Sequence, residues 1–450
     1  MNTAPRDLVV LGGGSGGLAC ALRAARHGAR VAVLEPALIG GTCVNLGCVP
    51  KKVMWEAAAL AGQMPRARHL GLDVPARPDV DWPALVAARQ AYIARIHASY
   101  RRQFDELGVE LVASAGQLAG EGVVELDDGR RLQARHIVLA TGARPRRPDI
   151  DGAGLLAVSD DVFAWPQRPR QVAVIGGGYI GVELACLLQA LGSQVHLLVR
   201  GDHLLSGFDA ELAAALAGAM ASHGVQIHWH STVKAASGGA GAVRLAGDNV
   251  PDLVFDAVVV ATGRQPNVES LGLAQAGVAC DDKGFIRTDA DSLATSADGI
   301  WAVGDVSGQL ALTPMAVAQG RRLADALFGA GAGPVIDPQR VPSVVFSHPP
   351  LGKVGLDEAA ARQQHGQVSV YRASFRSLAE GAGGGEQRHL FKVVCAGPEQ
   401  TVVGVHLFGE RCEEMLQGFA VAVQCAARWE HFRQTLAIHP TSAEEVVLAQ

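Results

Sequence analysis

One signature occurs twice in this chain. Leu8-Val9-Val10-Leu11 is an unbroken apolar run of the kind a buried parallel strand needs. Gly12-Gly13-Gly14-Ser15-Gly16-Gly17 follows it, then an amphipathic helix from Leu18 to about His27, then a second strand, residues 30–34, ending at Glu35. Val172-Ala173-Val174-Ile175 begins the same plan again. Gly176-Gly177-Gly178-Tyr179-Ile180-Gly181 forms the turn, residues 182–191 the helix and residues 194–199 the next strand, which ends at Arg200. In each copy G-x-G-x-x-G joins a strand to a helix. The glycines permit the tight turn and let a pyrophosphate approach the helix N-terminus, where unpaired N–H groups point outward. The duplication therefore predicts an α/β fold with two Rossmann-like dinucleotide-binding domains. Glu35 suits a ribose 2′-hydroxyl, whereas a base in its place, Arg200, suits a 2′-phosphate and hence NADP(H).

Between the two copies lies Gly40-Gly41-Thr42-Cys43-Val44-Asn45-Leu46-Gly47-Cys48-Val49-Pro50-Lys51-Lys52. Two cysteines five positions apart can open and close as a disulfide with little backbone movement across a helix start. A helix N-terminus and the two lysines would favour thiolate. The chain has eight cysteines, and the other six are scattered, which singles out this pair.

Hydrophobic residues make up 49% and charged residues 18% of the 450, with a formal net charge of −5 and no basic run. Neither nucleic acid nor an anionic membrane is indicated. No apolar stretch has the length of a membrane span, and the start, Met1-Asn2-Thr3-Ala4-Pro5-Arg6-Asp7, runs straight into a strand without a signal-peptide core. A cytoplasmic location is expected.

Helical patterns cover residues 53–63 and 84–107, and strand patterns residues 109–113, 123–126 and 136–139. The last runs into Ala140-Thr141-Gly142, and a second strand, residues 257–260, runs into Ala261-Thr262-Gly263-Arg264. Asp305 ends the strand at Ile300-Trp301-Ala302-Val303, where a carboxylate can hold a flavin ribityl hydroxyl. Thr313-Pro314 opens a helix whose N-terminus can face a flavin pyrimidine. From about residue 341 the texture changes, with an antiparallel strand at 402–407 and a buried helix at 415–427. The end reads His439-Pro440-Thr441-Ser442-Ala443-Glu444. There a helix cap by Thr441 or Ser442 competes with an acid/base histidine as the reading.

Together the two glycine turns, the Cys43–Lys52 stretch, Gly304-Asp305, Phe346-Ser347-His348-Pro349-Pro350 and His439-Pro440-Thr441-Ser442 resemble the FAD-dependent pyridine nucleotide–disulfide oxidoreductases, in particular their glutathione reductase branch. The resemblance covers essentially the whole chain. It implies a homodimer with shared active sites, built from an FAD-binding part (1–145 and 268–338, with the central domain), an NAD(P)H-binding domain (146–267) and an α+β interface domain (339–450). It implies NADPH-dependent reduction of glutathione disulfide through FAD and a Cys43–Cys48 redox disulfide. Cys48 would be the flavin-proximal, charge-transfer thiol and Cys43 the interchange thiol. His439 of the second subunit, oriented by Glu444, would protonate the leaving thiol, and Lys51 and Glu183 would form an ion pair beside the flavin. FAD contacts would come from Gly12, Gly14, Ser15, Gly16, Gly17, Glu35, Gly41, Thr42, Cys43, Lys51, Thr141, Gly142, Asp305 and Thr313. NADPH contacts would come from Gly176, Gly178, Tyr179 as the gate, Ile180, Gly181 and Arg200, and Glu183, Gly263 and Arg264 would also contact the cofactors.

Ser15, Tyr100, Arg321 and His439 match glutathione-contacting positions, and no metal site is implied. Leu22 stands where some members carry an arginine, Ser206 where many carry a second phosphate-binding arginine, and Gly181 where many NADPH-using members have alanine. Ala19 replaces the acid of trypanothione reductases. A related disulfide such as glutathione amide or trypanothione, a dihydrolipoamide dehydrogenase activity and a non-catalytic flavin-binding role are the alternatives. Lys51-Lys52 and the base near the second turn depart from the dehydrogenase pattern. The C-terminus Val446-Val447-Leu448-Ala449-Gln450 lacks the cysteines of mercuric and high-molecular-weight thioredoxin reductases.

Overall fold

The parallel strand Arg6–Leu11 sits at the centre of the first sheet because its four inner residues, Leu8 to Leu11, are apolar on both faces and no more than 2% exposed. A computed structural model describes residues 5–75 and 79–450; Met1–Ala4, on which the reading of the N-terminus rests, lie outside them. Among the described residues no helix is long and apolar enough to cross a membrane. The chain forms two compact units. One contains the described residues up to Lys51 together with Val86–Arg146 and Gly263–Ile336; the other contains Lys52–Leu85, Arg147–Thr262 and Asp337–Gln450.

In the first unit the strands Glu110–Val112, Val31–Leu34, Arg6–Leu11, Arg131–Leu139 and Ile300–Ala302 pair in that order, all parallel. The start of Arg131–Leu139 also pairs antiparallel with Val123–Leu126, which in turn pairs antiparallel with Gly116–Leu118. The helices Ser15–Arg26 and Thr313–Phe328 cover one face. They cross at Gly320, where a Cβ would lie 2.3 Å from the Gly16 carbonyl oxygen.

The second unit holds the repeat. Its parallel sheet runs Gln226–His228, Gln194–Leu198, Gln171–Ile175, Ala257–Val260, Ala157–Val158. The same unit contains a five-stranded antiparallel sheet in which Ser343–Val345, Leu351–Gly355, Thr401–Phe408, His389–Ala396 and Val368–Phe375 lie side by side. The helix Cys412–Gln424 backs that sheet over a core that includes Phe391, Leu407, Leu416 and Trp429. The expected fold class holds: two Rossmann-like parallel sheets and a C-terminal α+β region.

Helix boundaries differ from expectation in one instructive way. The helices begin at Ser15 and Tyr179, three residues earlier than the apolar periodicity suggests. The first turn is built from residues of the glycine turn itself, Ser15-Gly16-Gly17 and Tyr179-Ile180-Gly181, in which glycine masks the helical pattern. Likewise the helix after the cysteine stretch runs Cys48–His69 and passes through Pro65.

Candidate active site

The cysteine stretch lies on the first glycine turn, backbone against backbone. Gly40 and Gly41 take φ of 102° and 58°, values that suit glycine, and Gly40 N–H donates to the Gly13 carbonyl at 2.8 Å. A Cβ on Gly41 would stand 2.7 Å from Gly14 Cα, so nothing larger than glycine fits the contact. Cys43 then falls in a short helix, Gly41–Asn45, and Cys48 opens the Cys48–His69 helix. Asn45 fastens the turn between them: its Nδ2 donates to the carbonyls of Leu38, Ile39 and Gly41, while its Oδ1 lies 2.8 Å from His97 Nε2. Asn45 and His97 carry no chemistry themselves, and the sequence patterns above do not single them out. The signal for Asn45 is there all the same, since it is the one amide between the two cysteines.

Neither cysteine is joined in a disulfide. Cys48 Sγ lies 3.6 Å from Thr313 Oγ1, at the first residue of the Thr313–Phe328 helix, where Pro314 is second. The Cys43 thiol is held well above its ordinary range. The main cause is its hydrogen bond to Cys48, with burial adding; the hydroxyls of Thr313 and Ser15 pull the other way. With both sulfurs in the thiol form, the neighbouring Cys48 opposes the pull of nearby positive charge on Cys43. The Tyr100 phenol is also raised, by burial and then by Cys43. The structure thus brings Cys43, Cys48, Ser15, Tyr100 and Thr313 together. Arg321 is exposed on the Thr313–Phe328 helix. Leu22 is 7% exposed and belongs to the core.

The two glycine turns are near copies in their clearances. Gly12 (φ 109°) and Gly176 (φ 127°) would put a Cβ 2.3 Å from Ala140 O and 2.4 Å from Ala261 O. Gly17 and Gly181 would put one 2.1 Å from Gly12 O and 2.0 Å from Gly176 O. In this backbone Gly181 leaves no room for an alanine. The helices start on Gly14 and Gly178 with no side-chain cap. Their N–H groups and positive dipole ends are the donor set a pyrophosphate requires.

Beyond the end of the second strand the two copies differ. Glu35 Oε2 accepts from Gly13 N–H at 2.8 Å and Oε1 from Ala37 N–H at 2.9 Å. Register corrects its expected counterpart. Leu11 pairs with Leu34, and Ile175 with Leu198, so Val199, not Arg200, stands where Glu35 stands. A Cβ on Gly13 would be 3.0 Å from Glu35 Cβ, and one on Gly177 3.0 Å from Val199 Cγ1. Arg200 is the next residue and is exposed. The apolar run of the second strand is one residue longer, which disguises the offset.

Other candidates fall into place around these cradles. Thr141 Oγ1 donates to Asn267 O at 2.7 Å, and Asn267 Nδ2 donates back to Thr141 O at 2.9 Å, which fixes the Thr141-Gly142 turn. Gly263 has φ 125°. Arg264 Nε is buried, has no hydrogen bond and lies 4.0 Å from Asp305 Oδ2. Burial raises the Asp305 carboxyl, and Arg264 opposes it. A partly buried carboxyl, an unbonded guanidinium nitrogen, an uncapped helix start and Glu35 are together a set that fits a flavin dinucleotide. Tyr179 is 42% exposed at the start of its helix, followed by Ile180. Glu183, 6% exposed, accepts from Phe346 N–H at 2.8 Å. Lys51 lies one turn into the Cys48–His69 helix, and its N–H donates to Gly47 O.

At the C-terminus Glu444 Oε2 lies 3.0 Å from His439 Nδ1, and Glu444 Oε1 accepts from Thr441 N–H at 3.2 Å. The short helix Glu444–Val447 has no side-chain cap from Thr441 or Ser442. The carboxylate orients the imidazole instead, and His439 remains 80% exposed.

A dithiol on a helix start, beside one of two dinucleotide cradles, defines a nucleotide-linked disulfide reductase. The chain belongs to the pyridine nucleotide-disulphide oxidoreductase family, whose model matches residues 6–320; the family's dimerisation domain matches residues 341–450. It is 39% identical over 461 residues to the glutathione reductase of Yarrowia lipolytica, covering 98% of each chain. It is 41% identical to the glutathione reductase of Burkholderia cepacia, covering 98% of this chain and 97% of that one. Among solved structures it resembles the HOCl-induced flavoprotein disulfide reductase RclA from Escherichia coli, with a TM-score of 0.88 and 25% identity over 98% of this chain and 99% of that one.

Proposed function

We propose that this chain reduces glutathione disulfide to glutathione with NADPH, using FAD and the Cys43–Cys48 pair. The observation that carries the reading is the dithiol itself, with Cys43 beside Cys48, Ser15, Tyr100 and Thr313. The full-length similarity to glutathione reductases supports the choice of substrate.

Gly12, Gly14, Ser15, Gly16, Gly17, Glu35, Gly41, Thr42, Thr141, Gly142, Asp305 and Thr313 would hold the flavin. Gly176, Gly178, Tyr179, Ile180, Gly181 and Arg200 would hold the nicotinamide dinucleotide, with Lys51, Glu183, Gly263 and Arg264 between the two roles. When bound, the flavin relays two electrons from reduced nicotinamide to the Cys43–Cys48 disulfide. The chain's own residues do the rest. Cys43 must lose its proton to become a nucleophile, and a histidine held by a carboxylate, His439–Glu444, is suited to take it. The Cys43 thiolate attacks one sulfur of glutathione disulfide; an S–S bond breaks and a mixed disulfide forms. The departing thiolate receives the proton from His439. Cys48 then attacks Cys43, releasing the second glutathione and closing the Cys43–Cys48 disulfide. Two electrons and two protons leave the dithiol and appear in two thiols. Arg321 is suited to a glycyl carboxylate of the peptide.

The family's dimerisation domain supports a homodimer in which His439 serves the other copy's dithiol. The division into residues 1–145 with 268–338, 146–267 and 339–450 belongs to the same reading, as does a cytoplasmic location, favoured by the scattered thiols.

The test is steady-state oxidation of NADPH and NADH with glutathione disulfide, lipoamide and trypanothione disulfide in parallel. Efficient turnover of NADPH with glutathione disulfide is expected. No turnover there, alongside good lipoamide activity, would overturn the assignment.

A further inference from the structure

The loop after the second cradle's second strand is fastened at three points, and the last of these fastenings comes from lysines far away in sequence. Its start, Val199, abuts Gly177, and Leu205 N–H donates to the Gly177 carbonyl at 2.8 Å. Leu204 and Leu205 are buried, and Leu205 is held at φ 53°, a value rarely adopted by a branched residue. The third fastening is at the far end. Lys353, on the strand Leu351–Gly355, donates to the Gly207 carbonyl and lies 4.9 Å from the Phe208 ring centroid. Lys392, on the strand His389–Ala396, is 3% exposed. Its ammonium reaches Asp209 at 2.8 Å, Glu358 at 2.9 Å and Glu211 at 3.1 Å. Asp209 also caps the helix Ala210–Ser222. Arg372 braces the same carboxylates, at 3.1 Å from Glu211 and 2.6 Å from Glu358.

A lysine buried among three carboxylates contributes little net stability, because desolvation offsets most of the attraction. What such a network does well is fix one geometry. Here the geometry belongs to the loop that carries Arg200 and Ser206. With serine at position 206, recognition of a 2′-phosphate rests on one guanidinium and the loop's own N–H groups, so it depends on the loop being shaped in advance.

We infer that Lys353 and Lys392 are positioning residues for the 2′-phosphate of the nicotinamide dinucleotide, acting through the Val199–Asp209 loop. This rests on the proposed use of NADPH. Neither lysine touches the nucleotide; each holds the end of the loop that does.

The test uses the holoenzyme and two probes, adenosine 2′,5′-bisphosphate and adenosine 5′-monophosphate, titrated by calorimetry. Lys353→Met keeps the apolar stem and removes the tie to Gly207. It should weaken the bisphosphate about tenfold and leave the monophosphate unchanged, with KM for NADPH raised alike and kcat unaltered. Lys353→Arg should restore most of the loss. Lys392→Met should act in the same direction, and if it does not fold, Lys353→Met decides alone. Unchanged bisphosphate affinity in Lys353→Met, or equal loss of both probes, overturns the inference. A wild-type enzyme that does not favour the bisphosphate overturns the NADPH reading and the inference with it.

Discussion

Val199 is the position at which the second cradle can be rewritten as the first. In the first cradle Glu35 receives N–H groups from Gly13 and from Ala37, two residues beyond it. A Val199→Glu carboxylate would meet the equivalent donors, Gly177 and Gly201, in a loop whose clearance at Gly177 matches that at Gly13. Val199 is 3% exposed, so the larger side chain costs about 1–2 kcal/mol of stability by overpacking, offset in part by those two bonds.

The effect on the nucleotide is larger. A carboxylate about 6 Å from a phosphate bearing about two negative charges is opposed by about 2–3 kcal/mol at an effective dielectric of about 40. A 2′-hydroxyl in the phosphate's place instead gains a charge-assisted hydrogen bond of about 1.5 kcal/mol. The two terms sum to about 4 kcal/mol, so the ratio of kcat/KM for NADPH over NADH should fall about a thousandfold. The assay is initial-rate kinetics with both nucleotides and glutathione disulfide, with denaturant unfolding to verify the fold. An unchanged ratio in a folded variant would refute the placement of Val199 opposite the ribose.

The geometry leads to three further outcomes. Gly17→Ala puts a Cβ 2.1 Å from Gly12 O, so the purified variant should carry little flavin, read as flavin absorbance per protein; normal loading would contradict the cradle assignment. Glu444→Gln leaves the imidazole without its carboxylate and should lower turnover with glutathione disulfide about tenfold to a hundredfold while sparing transfer to a quinone acceptor, and equal loss in both assays would remove the acid/base role. Burial pushes His348 down from 6.5 to about 4, so the unfolded chain takes up a proton first: this stability is complete above pH 6.5 and is lost toward pH 4, by about 3 kcal/mol. His389 and His406, also lowered by burial, act in the same direction. Unfolding curves for His348→Leu should show a shallower fall over that range, and an unaltered slope would sink the account.

Much of this is legible in the chain because it is local. A strand, a glycine turn and a helix occupy about 30 consecutive residues, and each leaves a periodic or compositional mark. Cys48 at a helix start, Asp305 after a strand and Thr313 at a helix start are readable on the same grounds. Strand register is not. It is set by hydrogen bonds between strands, and the extra apolar residue in residues 194–199 hides that Val199 rather than Arg200 matches Glu35. Local spacing alone leaves Glu444 between capping and histidine pairing; the family resemblance points to His439, and the placed side chain agrees. Lys353 and Lys392 carry no local pattern at all; they meet the Val199–Asp209 loop across separations of 146 and 183 residues.

The likeness of the two glycine turns creates a sorting problem. Both offer the same width, the same uncapped helix start and nearly the same clearances, so neither turn can tell one adenine dinucleotide from the other. A cell holds flavin and nicotinamide dinucleotides together, and a nascent chain meets both. Discrimination must therefore come from outside the turn. On the proposed reading the carboxylate of Glu35 would accept an unmodified ribose and repel a 2′-phosphate, while the apolar wall at Val199 would give a bare hydroxyl no acceptor. A single side chain on each strand end would thus guard against mis-loading in a chain that carries the same cradle twice.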